Sequence, residues 1–262
     1  MFAIYWHLFR AALRARLQYK LDFCLSALAN AIIMAVDYVL LAAILIKFRD
    51  VKGWTLAEVG LLYGCSTISF SIYRMISPEL HNFEKYLIQG ELDQLLIRPV
   101  SPLMLLLARD IDLSRIGGIV QGWLILLYSL FHLSLPPLSL LLLCLYLPII
   151  LLSGFLISGA LGLATATIGF WTQKIKDLQA LTLYAPFNAA NFPLSIYPGW
   201  LKGILFSILP VGFMNYLPLT ALLHKGGQLI TLFLSPLCAI GCLALAVTFW
   251  NRGIKNYHST GS

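Results

Sequence analysis

Charge is what this chain has least of. Asp, Glu, Lys and Arg make up 11% of its 262 residues against 60% hydrophobic, and the mean hydropathy is +0.84. Soluble domains carry about 25% charged residues, so an ordinary water-soluble domain is excluded and a membrane protein is indicated. The alternation of polar and apolar residues that a transmembrane β-barrel needs is also missing. Several nearly uncharged runs of about twenty residues instead suit helices crossing a ~30 Å hydrocarbon layer. There is no GxxxxGK loop followed by Ser or Thr, so nothing here cradles nucleotide phosphates. HExxH, GxSxG and CxxC are absent too, and His7, His81, His132, His224 and His258 stand singly. His81 reads as a surface or interface side chain. Cys24, Cys65, Cys144, Cys238 and Cys242 all lie inside apolar runs and read as small buried hydrophobes. The sequence thus offers no catalytic residue, metal site or cofactor site of its own.

What is present is an all-α polytopic pattern. Six spans are expected near residues 23–46, 56–77, 113–133, 138–170, 178–197 and 229–250, the fourth interrupted by Pro148 and a small-residue run. Residues 1–21 form an amphipathic pattern: Phe2, Trp6, Phe9, Leu13 and Leu17 share one face, and His7, Arg10, Arg14 and Gln18 the other. That describes a helix lying in the membrane interface. From Phe192 to Thr220 the chain is apolar but broken by Pro193, Pro198, Pro210 and Pro218. A re-entrant pair of outer half-helices over 198–228 is expected there, since broken backbone survives at membrane depth only under protein cover. The GxxxG spacings Gly60–Gly64 and Gly118–Gly122 permit close helix approach, read first as packing within the subunit, with a dimer seam as the alternative.

The net charge of +7 comes from 18 Lys and Arg. With the N-terminus taken as cytoplasmic, thirteen of these fall on the cytoplasmic side, leaving Lys47, Arg49, Lys52, Lys202 and Lys225 outside. This asymmetry places both termini inside and accounts for the basic balance without nucleic acid.

Six of the eleven acids sit in one cytoplasmic segment, residues 78–112. Its centre, "GELDQLLIRPVSPL", starts at Gly90; Glu91 to Ile97 have room for two helical turns before Pro99 stops them. Leu92, Leu95 and Leu96 lie together on such a helix, with Glu91, Asp93 and Arg98 around them. Two readings stand: a charge-rimmed docking knob, or a solvated turn whose leucines pack back on their own protein. Inside the first span Asp37 is the one mid-depth acid, costing on the order of 3 kcal/mol unless paired or wet. Asn30, seven residues earlier, falls on the same helix side. Asp37 either lines a substrate path with Asn30 or bonds to a neighbouring helix.

"GELDQLLIRPVSPL" resembles the cytoplasmic signature of the type-2 ABC exporter permeases, in a six-span branch formerly filed as a domain of unknown function. Tyr197 and Pro198, Pro210, then Asn215, Tyr216 and Pro218 resemble that family's outer proline pattern. The resemblance covers most of the chain. It implies a membrane subunit of an ATP-driven exporter in a bacterial plasma membrane. A second membrane subunit, either an identical copy or a similar paralogue, would complete the path between first, second and fifth spans. A separate ABC ATPase would carry ATP and Mg and dock on Glu91, Leu92, Asp93, Leu95, Leu96, Arg98 and Pro99. Tyr197, Pro198, Pro210, Asn215 and Pro218 would form an outer lid. Other classes remain: an ATP-independent secondary carrier, which needs more titratable groups at mid-membrane than Asp37, a membrane-embedded lipid enzyme, or a non-transporting scaffold. For the enzyme the only paired acids are Asp110 and Asp112, about 200° apart on a helix.

Overall fold

The computed structural model describes residues 20–48 and 52–257, with residues 10, 11, 14 and 18; for 44–48 it describes the backbone alone. The interfacial helix expected over 1–21 falls almost entirely outside these. The described residues are mostly helical, without a β-strand.

Among the described residues five helices are long and apolar enough to cross a bilayer. The first is α1 (Lys20–Phe48). The second, α2 (Leu56–Ile76), is started by a capping box: Thr55 Oγ1 accepts from Glu58 N, and Glu58 Oε2 from Thr55 N at 2.7 Å. Four short helices follow, α3 (Pro78–His81), α4 (Phe83–Ile88), α5 (Glu91–Leu96) and α6 (Pro102–Arg109). The chain crosses back through α7 (Ile116–Phe131) and returns through the 36-residue α8 (Pro137–Thr172), which carries Pro148 inside it. At ~1.5 Å per residue α8 is about 54 Å long, so it must tilt or project beyond the ~30 Å core. Gln173, in the left-handed region at φ 60°, ends it.

The fifth predicted span is shorter than expected. Helix runs from α9 (Lys176–Gln179) through a π-turn to α10 (Ala185–Ala190) and ends before Pro193. Pro186 explains the π-turn at Ala180–Tyr184: its nitrogen has no hydrogen to donate and its ring crowds the carbonyl four residues back. Next come α11 (Gly199–Ser207), bent by 75° from the stretch Val211–Leu222, which contains α12 (Tyr216–Leu222). The last span is α13 (Ile230–Gly253).

Contacts fix which end each loop occupies. Lys52, between α1 and α2, donates to Ser195 O at 3.0 Å, and Lys225 donates to Gly53 O and pairs with Glu58 at 3.0 Å. The bent segment therefore leaves and rejoins the same end of the bundle. Between these ties Asn215 Nδ2 donates to Leu62 O at 2.9 Å and Ala190 O at 3.0 Å, and lies 2.6 Å from Ser66 Oγ, at the middle of α2. The segment is a re-entrant hairpin, not a crossing, and residues 176–193 make the fifth passage.

Helices α2 and α7 meet through their glycines. A Cβ on Gly64 would stand 3.1 Å from Gly122 O, and one on Gly122 would stand 2.8 Å from Ile68 Cγ1, so the GxxxG pairs pack within the subunit. The helix α1 touches the bundle along α7, where a Cβ on Gly117 would meet Ala27 O. Among the described residues its outer side has no cover: Leu25, Leu28, Ile32, Val36 and Leu40 are all more than half exposed.

Candidate functional site

At the end opposite the re-entrant hairpin, α3 to α6 fold into a cap. Leu80, Phe83, Tyr86, Leu87, Leu92, Leu95 and Leu106 are buried together against Phe170 of α8 and Trp250 of α13. Phe83, Phe170 and Trp250 form an aromatic triad with centroids 5.1 to 5.4 Å apart, so the cap is joined directly to the ends of two spans.

Polar contacts complete the joint. Glu84 Oε2 accepts from Ile175 N at 2.8 Å and Lys176 N at 3.1 Å, holding the turn after α8. These bonds, Ile175 N first, hold the Glu84 carboxyl below the usual carboxylate value. Gln179 Nε2 donates to His81 O at 2.8 Å, and Asp112 N to Met75 O at 3.0 Å. Arg74, 92% buried near the end of α2, donates to the hydroxyl of Tyr184 in the π-turn, whose oxygen lies 3.4 Å from His81 Nε2. Burial, reinforced by the Arg74, Arg115 and Lys176 charges, pushes His81 down to about 4, so it is neutral near pH 7. His81 is thus a member of a three-way joint between α2, the cap and the fifth passage. A single histidine in an apolar sequence carries no signal of this.

The predicted docking residues separate into two groups. Gly90 turns the chain in the left-handed region at φ 67°, which frees α5 to start at Glu91. The side chains of Leu92 and Leu95 are 0% and 4% exposed and form part of the cap's own core. That corrects the expectation of a knob made from all three leucines: residues at i and i+3 on a helix share the face that seeks cover, and Phe83 and Trp250 supply it. Two residues cannot both fill this core and meet a partner. Leu96 is 40% exposed, Arg98 and Pro99 are exposed, and Glu91 and Asp93 are intermediate. Glu91 pairs with Arg109 at 3.1 Å, tying α5 to α6.

The strongest surface signal is one that the leucine pattern hid. Ile97 is 85% exposed, and Ile88 is 50% exposed. Ile97 is thus the most exposed large apolar side chain of the cap, and no described residue covers it. It follows Leu96 directly, about 140° round the helix from Leu92, off the buried face.

The membrane candidates also separate. Asn30 faces α7, its Oδ1 3.1 Å from where a Cβ on Gly118 would lie. Asp37 is exposed on α1 and makes no ion pair or hydrogen bond among the described residues. Asn30 and Asp37 therefore share one side of α1, Asn30 packed on α7 and Asp37 open. In the hairpin, Pro210, Asn215 and Pro218 are buried, Tyr197 is intermediate, and Pro198 is exposed. Asn215 acts as the clip to α2 described above.

A family model described as ABC-2 family transporter protein matches residues 31–261. No curated protein and no solved structure matches the chain.

Proposed function

The chain belongs to the ABC-2 transporter family and is a multi-pass transmembrane subunit of an ABC transporter; from this premise we propose that it is driven by a separate ABC ATPase docked at Leu96, Ile97, Arg98 and Pro99. The observation carrying the proposal is Ile97, almost fully exposed on a cap whose other large apolar groups are mostly buried. Glu91 and Asp93 flank this contact, while Leu92 and Leu95 act from behind, anchoring α5 to the ends of α8 and α13. A push on Ile97 is thereby delivered through the aromatic triad to α8 and α13, and through Glu84 and Gln179 to the fifth passage. ATP and Mg belong to the partner, and hydrolysis takes place there; this chain supplies the moving helices. The cap end is cytoplasmic, with both termini on that side, in a bacterial plasma membrane.

Asp37 supports the second part of the proposal. A carboxylate exposed at mid-span costs on the order of 3 kcal/mol against lipid, and no described residue pairs with Asp37. A second membrane subunit, identical or similar, meets the side of α1 that carries Asp37, so that this carboxylate faces a watered path or a polar group across the seam. The re-entrant hairpin, held at Asn215, is the lid of that path on the far side, and export is the direction that the lid closes.

Purification of the tagged chain from its own membranes tests the reading. A Walker-containing ATPase is expected in stoichiometric amount with the parent chain and absent with Ile97→Asp. A chain that purifies without any ATPase, or an Ile97→Asp chain that keeps it, would overturn the docking assignment.

A further inference from the structure

A groove of about 450 Å³ runs between α8, α13 and the turn of the re-entrant hairpin, away from both the cap contact and the outer side of α1. Its floor is made of small side chains, among them Ala160, Ala164 and Ala246. Its upper end is closed by Ser207, Ile208 and Pro210, and Arg252 stands at the lower end. The groove opens sideways, since Ile208 and Leu245 on its walls are 73% and 71% exposed.

Three features identify the occupant. From Cys242 to Arg252 the groove follows ten residues of α13, about 15 Å at ~1.5 Å per residue, which is one leaflet's half of a ~30 Å hydrocarbon core. Arg252 is the only charged residue lining it, and it is exposed, with no ion pair among the described residues. Trp171, 52% exposed and stacked on Phe249 of the groove wall at 5.7 Å, stands beside Gly253 at the level of Arg252, where tryptophan marks the membrane interface. An apolar trough of one-leaflet length with a cation at its interfacial mouth matches a single lipid whose headgroup is anionic.

We propose that this groove holds one anionic phospholipid of the cap-side leaflet, its phosphate against Arg252 and an acyl chain laid along α13 up to Ile208. Bound there, the lipid fills the space beneath the re-entrant turn and props the hairpin from a side left open by the described residues. This site is independent of ATPase docking.

Native mass spectrometry of the purified full chain tests it, with phosphatidylglycerol and phosphatidylcholine of identical acyl chains added in turn. The parent chain is expected to retain one phosphatidylglycerol saturably and in preference to phosphatidylcholine. Arg252→Ala should weaken phosphatidylglycerol about fivefold, the share of one interfacial cation, and leave phosphatidylcholine unchanged. Thr248→Trp, which fills the groove from an exposed position, should weaken both; Ile208→Trp does the same from the opposite wall should the first variant fail to fold. Unchanged phosphatidylglycerol binding in Arg252→Ala overturns the headgroup assignment. Unchanged binding in the tryptophan variants overturns the groove.

Discussion

In α1 only 6% of the most apolar stretch is buried, and Leu25, Leu28 and Val36 are each more than half exposed. In the cap, Leu80, Leu87, Leu92 and Leu106 are all shut away, although the segment is far richer in charge. The difference is one of solvent. Lipid exerts no hydrophobic pressure on a leucine, whereas water costs about 25 cal/mol for every Å² of apolar surface left open. Exposure therefore carries opposite meanings at the two places. Leu28 open to lipid asks for no explanation, and Ile97 open to water does; Asp37, a charge open at mid-span, is the mirror image of Ile97. Each is misplaced in its own solvent, and on the proposed reading each meets a partner subunit.

The comparison is broken most sharply by moving charge within α5. Leu92→Asp puts a carboxylate into the cap core beside Phe83 and Trp250 and is expected to cost several kcal/mol, leaving no folded chain in detergent. Ile97→Asp, five residues on, is expected to unfold within about 0.5 kcal/mol of the parent while losing the ATPase. Thermal unfolding measured beside copurification separates the two; similar instability in both would mean that Ile97 is structural.

Asp37→Leu takes the one mid-depth charge out of α1 and removes a cost on the order of 3 kcal/mol for the isolated chain in a bilayer. Greater stability of the single subunit together with lost transport is expected. Transport at the parent's rate would contradict a role for Asp37 at a seam or path.

A smaller effect tests the joint. Glu84→Gln weakens the acceptor for Ile175 N and Lys176 N and is expected to cost about 1 kcal/mol. Because the Glu84 carboxyl titrates lower when folded than when unfolded, its contribution is in place above the ordinary carboxylate value and is lost as pH falls below it. The parent's midpoint should fall below about pH 4.5 more steeply than the variant's. His81 works over a higher window. Held down to about 4 when folded, it takes up its proton on unfolding, so stability declines as pH falls from about 6.5 towards 4. His81→Asn should flatten that decline.

The spans were legible because a run of twenty apolar residues has one physical use. The re-entrant hairpin was legible through Pro193, Pro198, Pro210 and Pro218, which no continuous span accommodates. The fifth passage was misjudged in length because Pro186 and Pro193 fall inside an apolar run, and apolarity alone does not show where helix stops. The direction of the α5 leucines was not legible either. A six-residue helix has one apolar face, and whether that face meets its own chain or another depends on Phe170 and Trp250, some 80 and 160 residues away. Ile97 did leave a trace, as an apolar residue out of phase with Leu92 and Leu95 and next to Arg98 and Pro99. The Arg74, Tyr184 and His81 joint left none, since three residues from distant segments meet only in the fold.

A photo-crosslinking residue placed at position 97, with position 28 on the lipid-facing side of α1 as control, measures the central claim directly in native membranes. A covalent adduct to a Walker-containing ATPase from position 97, and none from position 28, is the expected result. Adducts from position 97 that join only the chain to itself or to lipid would contradict it.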